Sequence, residues 1–173
     1  MQLAAVSCLG LGISGPAHAV DGCKLLLCMA GDWQNISECA PTVRQALRDL
    51  ARGRVWPTCS MAGNSGSSNQ SVTPGQCPPQ YLTHAENAES GRVTDSCAFS
   101  GVIQVAVDGR PWSRTWWSTS GDSVVEWLPA AKAAFANSPA AMDGRFDSDL
   151  AAWVISEQAR LAAAAAADKS GGE

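Results

Sequence analysis

The sequence predicts an α+β protein, with a disulfide-bridged helical N-terminal half and a small antiparallel sheet on which further helices pack. Two segments with helical caps and periodicity lie among the first cysteines, at residues 22–30 and 41–52. A strand-turn-strand pattern follows at residues 102–117, where Asp108-Gly109 supplies a two-residue turn. Six of the seven cysteines follow an apolar N-terminal segment, and an even number after an export signal is typical of a disulfide framework.

The N-terminal segment has the features of a secretory signal peptide. An apolar run at residues 3–13 is followed by a helix breaker at residues 14–16 and a small-residue site at residues 17–19. We therefore expect cleavage after Ala19, which makes Val20 the first residue of the mature chain. No Lys or Arg precedes the apolar run, and we attribute this to a start codon assigned too far downstream.

Two alternatives for this segment are disfavoured. Cys8 follows small residues, as in a lipidation site, but too few apolar residues precede it for an export signal. The apolar run is shorter than the roughly 20 residues that span a bilayer, so we expect no transmembrane anchor in the mature chain. The predicted organisation is a signal peptide at residues 1–19, a single disulfide-stabilised domain at 20–160, and a flexible, Ala-rich tail that ends in Gly and Glu at 161–173.

The two N-terminal helices are predicted from their boundaries and periodicity. Gly31 ends the first, whereas Pro41 lies in the first turn of the second and Gly53 caps its C-terminus. The second helix is amphipathic, since one face carries its apolar residues Val43, Ala46, Leu47 and Leu50. Residues 60–71 are small and polar, and they are predicted to form a loop.

The C-terminal half is predicted to contain the sheet. Counting back from the Asp108-Gly109 turn pairs Val105 with Trp112, Ile103 with Arg114 and Gly101 with Trp116. In this register Trp116 covers the glycine backbone. A third strand at residues 123–127 and a short helix at 129–136 follow.

A last helix is predicted from about Asp147, with capping oxygens from Asp147, Ser148 and Asp149. Its apolar side chains are expected to point inward: Leu150, Trp153, Val154 and Leu161.

Helix geometry restricts the disulfide pairing of the six remaining cysteines. In a helix over residues 22–30, Cys23 and Cys28 point about 140° apart with roughly 8 Å between their Cα atoms, beyond the limit of about 7 Å for a disulfide. Two antiparallel helices would instead bring Cys28 to Cys39 and Cys23 to Cys59, which leaves Cys77 for Cys97. This is one of fifteen connectivities, and the others stay open.

Metal binding and cysteine catalysis are disfavoured. The closest cysteine pair, Cys23 and Cys28, has four residues between its members, whereas zinc sites usually bring closer pairs. His84, the one histidine after the predicted cleavage site, has no partner at ligand spacing and is too distant in sequence to support Cys28 as a nucleophile. We therefore expect no metal, no cofactor and no small-molecule ligand.

The cysteine motif and the helix after it resemble the TrbM/KikA family of conjugal-transfer proteins. The resemblance is most specific over residues 22–54, and it extends less distinctively through Cys59 and residues 64–70, 77–81, 114–118 and 145–147. It implies a periplasmic accessory component of a type IV secretion (mating-pair formation) apparatus, whose partners are other proteins of that apparatus. It carries over the cysteines as fold determinants and no catalytic residue.

Two sets of residues are candidates for partner binding. Arg44, Arg48 and Arg52 line one side of the second helix, with Lys24 and Arg54 nearby; we favour a solvated helix face, and an acidic partner or transferred DNA is the alternative. Trp116 and Trp117, with Trp112 and Trp127, could form an exposed aromatic platform. Strand alternation puts Trp116 and Trp117 on opposite faces, so at least one of them is expected in the core.

Composition and charge narrow the function classes. The net charge of −4 provides no overall attraction to nucleic acid or anionic lipid. Glu38, Asp122 and Glu126 could be posed as acid/base carboxylates, but their spacing does not support such a pair. We expect a non-enzymatic envelope component that acts through protein contacts. The alternative is a peptidoglycan-directed enzyme or inhibitor.

Overall fold

The structure is a computed structural model that describes residues 20–61, 66–86, 91–138 and 142–170, so the predicted signal peptide and Cys8 lie outside the described residues. Its elements, in chain order, are α1 (Gly22–Met29), α2 (Ala40–Ala51), β1 (Cys59–Ser60), β2 (Ser68–Val72), a 3₁₀ helix (Pro79–Tyr81), β3 (Leu82–Glu86), β4 (Val93–Cys97), β5 (Gly101–Val107), β6 (Arg110–Trp117), β7 (Ser123–Trp127), α3 (Pro129–Ala134) and α4 (Arg145–Ser170). The α+β class is confirmed.

A five-stranded antiparallel sheet in the order β1-β2-β5-β6-β7 forms the centre, and β3 pairs with β4 in a separate two-stranded sheet. The predicted loop at residues 60–71 was wrong at both ends, because Ser60 belongs to β1 and residues 68–71 belong to β2, which pairs with both β1 and β5. The predicted helical N-terminal half is matched only loosely, since strands begin at Cys59. β2 escaped prediction because its fully buried residue is Asn69 rather than an apolar one.

Each face of the sheet has its own core, which follows from strand alternation. One face meets α1 and α2 through residues that include Ile103, Val105, Trp117 and Val125. The other face carries Val102, Trp116 and Val124, which pack with Phe99 and Phe146. The sheet is therefore covered on both sides, and adjacent tryptophans of β6 enter different cores.

A β-bulge shifts the β5–β6 register from the predicted one. Ala106 pairs with Pro111, but Val105 pairs with Ser113, which leaves Trp112 as the extra residue. Proline has no N–H for the ladder and is common at such irregularities. Gly101 consequently lies opposite Trp117 rather than Trp116, and a Cβ on Gly101 would lie 2.7 Å from the Trp117 ring.

The bulge also joins the sheet to α1. The Trp112 indole Nε1 donates a hydrogen bond to the Ala30 carbonyl oxygen at 2.7 Å, and the Ser113 hydroxyl donates to Met29 O at 3.3 Å. Carbonyl groups at the C-terminal end of a helix lack intrahelical partners. The bulged strand therefore supplies the partners that α1 needs at its end.

The C-terminal helix differs from its prediction at both ends. It begins at Arg145, whose N–H donates to Asp143 Oδ1 at 2.9 Å, so Asp143 provides the capping oxygen. Val154 and Leu161 are 39% and 54% exposed, and only Leu150 and Trp153 of the predicted inward set are half-buried. The helix continues to Ser170 through the predicted flexible tail, because alanine is the strongest helix former.

Three disulfides link the chain: Cys23–Cys59, Cys28–Cys39 and Cys77–Cys97. These are the pairs that helix geometry favoured. The first joins α1 to β1, the second joins α1 to the start of α2, and the third spans the segment from the 3₁₀ helix to β4. In the part of the chain that the structure describes, no helix is both long enough and apolar enough to cross a membrane.

Candidate functional site

The predicted aromatic platform is not present, because both of its central members are core residues. Trp116 and Trp117 are only 4% and 9% exposed. The Trp116 Nε1 donates to Glu126 Oε2 at 2.9 Å, and the Trp117 ring lies against Gly101. Trp127 is buried as well, and Trp112 is half-buried. These tryptophans therefore pack within the fold and do not form an exposed aromatic platform.

The predicted arginine row divides into two parts with different surroundings. Arg52 and Arg54 both approach the carboxylate of Asp49, at 3.7 and 3.2 Å. The Arg48 guanidinium donates to the neutral Gln45 side chain at 2.8 Å, and the Arg44 side chain has no hydrogen bond or ion pair within the described ranges. The single carboxylate of Asp49 thus partly compensates the C-terminal end of the row, whereas Arg44 and Arg48 have no carboxylate partner in the described ranges.

Arg44 and Arg48 lie at a cavity of about 280 Å³, which we call the arginine cleft. Its walls come from the segment after α1, from α2, from the β6–β7 turn and from the start of α4. The residues that line it are Trp33, Gln34, Arg44, Leu47, Arg48, Trp117, Ser118, Gly121, Asp122, Ser123 and Arg145.

Arg145 brings a third guanidinium to the arginine cleft from the first turn of α4. Its Nη1 and Nη2 each lie 3.2 Å from Asp122 Oδ1, and Nη2 also donates to the Ser123 carbonyl oxygen at 2.8 Å. The next residue, Phe146, is buried in the core on the other face of the sheet. The packing of Phe146 therefore fixes where α4 begins and holds Arg145 over the β6–β7 turn.

Arg145 was not among the residues predicted to bind a partner. It lies about 100 residues after α2, and no periodicity connects the two segments. The one signal that could have found it is the appearance of residues 145–147 in the resemblance to the TrbM/KikA family. Asp122, which was considered only as a catalytic carboxylate, is the ion-pair partner of Arg145.

The arginine cleft is positively charged, although the chain as a whole is negatively charged. Three arginines against the single carboxylate of Asp122 leave a local charge of +2 among the lining residues, whereas the full chain carries −4. Trp33, Leu47 and Trp117 form the buried apolar part of the lining. Low-dielectric walls beside charged groups strengthen their attraction for an opposite charge.

A larger groove of about 740 Å³ lies on the opposite face of the sheet, bordered by Trp116, Phe146 and the segment that carries Cys77. Gln104, Arg114 and Glu126 form a polar row across its floor, since their positions pair across β5, β6 and β7. Arg114 Nη1 lies 3.3 Å from Glu126 Oε1. The opposite charges of this pair compensate each other, so the residues that line the groove carry no net charge.

The three carboxylates considered for acid/base chemistry lie on separate surfaces. Glu126 lines the groove, Asp122 lines the arginine cleft, and Glu38 lies in the turn before α2. Hydrogen bonds from the Glu38 backbone N–H and the Ser37 side chain lower the pKa of the exposed Glu38 carboxyl, which therefore favours its charged form.

No group of three or more His, Cys, Asp or Glu suitable for a metal ion occurs in the described ranges. His84 Nδ1 lies 2.6 Å from Asp95 Oδ1 on the exposed β3–β4 sheet.

Comparisons with protein-family models, with curated proteins and with solved structures found no match to this chain.

Proposed function

We propose that this protein is an exported accessory component of a conjugative type IV secretion apparatus and acts through protein contacts in the cell envelope. Its support is the resemblance of residues 22–54 to the TrbM/KikA family. Three disulfides fit an exported protein that matures in an oxidising compartment. The periplasm is the compartment that the predicted signal peptide implies.

The observation that carries the proposal is the structural role of the residues in the resembling segment. Leu25, Met29, Trp33 and Val43 are all buried in one core, and the cysteines among them form two of the three disulfides. A sequence pattern made of core residues and disulfides identifies a fold rather than a reaction. This fits a protein whose role is to bind other proteins, with its exposed clefts as the surfaces that do so.

The test is deletion of the gene from a donor cell. We expect DNA transfer to fall strongly while growth continues, and the gene supplied in the donor should restore transfer, because the donor assembles the apparatus. The gene supplied only in the recipient should not restore it. Normal transfer from the deleted donor would contradict the proposal.

The alternative is a peptidoglycan-directed enzyme or inhibitor, and the observation that favours it is the position of Glu126 in the large groove. General acid/base chemistry at Glu126 would require its carboxyl. Under our proposal, Glu126→Gln, Asp122→Asn and Glu38→Gln should each restore transfer almost fully in the deleted donor. A Glu126→Gln protein that is present at the normal level but supports no transfer would favour the enzyme.

A further inference from the structure

We propose that the arginine cleft binds a carboxylate-bearing segment of a partner polypeptide, with Arg44 and Arg48 as its free charges and Arg145 as a third, positioned one. The inference deepens the proposed function, on which it rests for the presence of a protein partner in the envelope. It develops the acidic-partner alternative for this helix face, since Arg52 pairs with Asp49 whereas Arg44 and Arg48 have no carboxylate partner among the described residues.

Arg44 and Arg48 carry the charges of the arginine cleft that have no ion-pair partner among the described residues. Arg44 has no partner among the described residues, and Arg48 donates only to an uncharged amide. Arg52 and Arg54, which follow the C-terminal end of α2, share the carboxylate of Asp49. The arginines outside the cleft therefore have a carboxylate partner, whereas Arg44 and Arg48 inside it have none among the described residues. Guanidinium groups bind carboxylates through paired, charge-assisted hydrogen bonds.

Arg145 can exchange its ion-pair partner Asp122 for a carboxylate of the ligand. The Asp122 side chain is 60% exposed, and exposed ion pairs contribute little to stability. The hydrogen bond from Arg145 to the Ser123 carbonyl oxygen would keep the guanidinium in place when a ligand carboxylate replaces Asp122. Asp122 therefore acts as an internal competitor for the ligand, and its removal should strengthen binding.

The size of the cleft and the charge of the chain favour a polypeptide ligand over a nucleic acid. Nucleic-acid binding depends on many phosphate contacts along an extended basic surface, whereas the cleft gathers three arginines around about 280 Å³. The chain as a whole is negatively charged, which repels a long polyanion. The buried apolar side chains of Trp33 and Leu47 beside the arginines lower the local dielectric and strengthen the attraction for a carboxylate.

The experiment measures binding of a synthetic peptide with an amidated C-terminus, Gly-Glu-Leu-Glu-Leu-Glu, to the purified disulfide-bonded chain by isothermal titration calorimetry at low salt. The same peptide with glutamine in place of glutamate reports binding that does not need the carboxylates. We expect the glutamate peptide to bind and the glutamine peptide not to bind. Absence of binding by the glutamate peptide, or equal binding by both, would overturn the inference.

Two matched variants locate the site. Arg44→Gln/Arg48→Gln should weaken binding by about tenfold or more, since charge-assisted hydrogen bonds are lost. Arg52→Gln/Arg54→Gln makes the same change in net charge outside the cleft and should leave the affinity within about twofold. Equal losses in both variants would show nonspecific charge attraction and overturn the assignment of the site.

Asp122→Asn is a gain-of-binding variant and should strengthen binding by a few-fold, whereas Asp108→Asn, which makes the same charge change in the exposed β5–β6 turn, should not. Equal strengthening by both would remove the role of Asp122 as competitor. A single-stranded DNA oligonucleotide that competes with the peptide and depends equally on Arg44 and Arg48 would replace the polypeptide by a nucleic acid.

The experiments test the binding role of the cleft and the proposed function independently. Peptide binding is measured on the purified chain. Normal DNA transfer from the deleted donor would therefore contradict the proposed function and leave the result for the cleft unaffected. Conversely, strong loss of DNA transfer on deletion, together with absence of peptide binding, would contradict only the binding role of the cleft.

Discussion

Asn69 connects three parts of the chain through one fully buried side chain. Its Oδ1 accepts a hydrogen bond from the Cys59 N–H at 2.6 Å, and its Nδ2 donates to the Gly22 carbonyl oxygen at 3.2 Å. These two partners flank the Cys23–Cys59 disulfide, at the start of α1 and in β1. A buried polar group is stabilising only when its hydrogen bonds are made, and here both ends of the amide are used.

We predict that Asn69→Leu lowers the free energy of unfolding by about 1–3 kcal/mol, because the buried Cys59 N–H loses its side-chain partner and the Gly22 carbonyl oxygen keeps only its bond within α1. Gln70→Leu is the matched control: it makes a similar change at the next residue of β2, which is exposed, and should change stability by less than about 0.5 kcal/mol. Urea unfolding of the oxidised variants measures both. Similar effects of the two substitutions would show that the Asn69 amide has no special role.

At the scale of elements, the predictable parts of the fold are those with strong local signals. Both N-terminal helices, the hairpin turn and β7 lie where periodicity, caps and turn residues placed them. The β5–β6 register could not be counted from the turn, because the bulge at Trp112 depends on Pro111 and on the contact with Ala30. The arginine cleft was only partly predictable, since Arg145 meets α2 through tertiary packing alone.

The 3₁₀ helix and α4 are joined by a hydrogen bond in which the Tyr81 hydroxyl donates to Asp149 Oδ2 at 2.7 Å. The Tyr81 ring also packs edge-on against Phe99, with 4.8 Å between ring centroids. Burial of the phenol raises the pKa of Tyr81, and the hydrogen bond to Asp149 and the charge of Asp149 raise it further. The contact therefore needs the protonated phenol.

This element contact should depend on pH in a defined direction. Because the pKa of Tyr81 is higher in the folded chain than in the unfolded chain, its stabilising contribution is complete below the ordinary tyrosine pKa of about 10 and is lost as pH rises above that value. Tyr81 is the single tyrosine of the chain, so tyrosinate absorbance reports it directly. Folded protein should titrate at higher pH than protein in denaturant, and coincident curves would contradict the assignment.

Asp149→Asn tests the second cause of this shift separately. It removes the charge that opposes tyrosinate formation but keeps the ring buried. We expect the tyrosinate titration of the folded variant to move part of the way back toward the ordinary pKa. A titration unchanged by Asp149→Asn would show that burial of the ring alone determines the pKa of Tyr81.

For the whole molecule, the two cores on opposite faces of one sheet explain the distribution of the disulfides. Cys23–Cys59 and Cys28–Cys39 fasten the helical layer on the first face, and Cys28, Cys39 and Cys59 belong to that core or pack against it. Cys77–Cys97 serves the second face, where Cys97 packs against the smaller core. Disulfides thus fix the helical layer on the first face and the Cys77–Cys97 segment on the second, whereas α4 packs on the second face without a disulfide.

The relative contributions of the bridges should follow the loops that they close. The paired cysteines are 36, 20 and 11 residues apart for Cys23–Cys59, Cys77–Cys97 and Cys28–Cys39. In the chain-entropy description, restriction of the unfolded chain then contributes about 3.8, 3.3 and 2.8 kcal/mol respectively. Replacing each pair by two alanines should lower the free energy of unfolding in that order in urea, with intact masses that report the remaining bonds. If loss of Cys28–Cys39 costs the most, packing around that bridge in the native core outweighs the entropy of the unfolded chain, because this bridge closes the shortest loop.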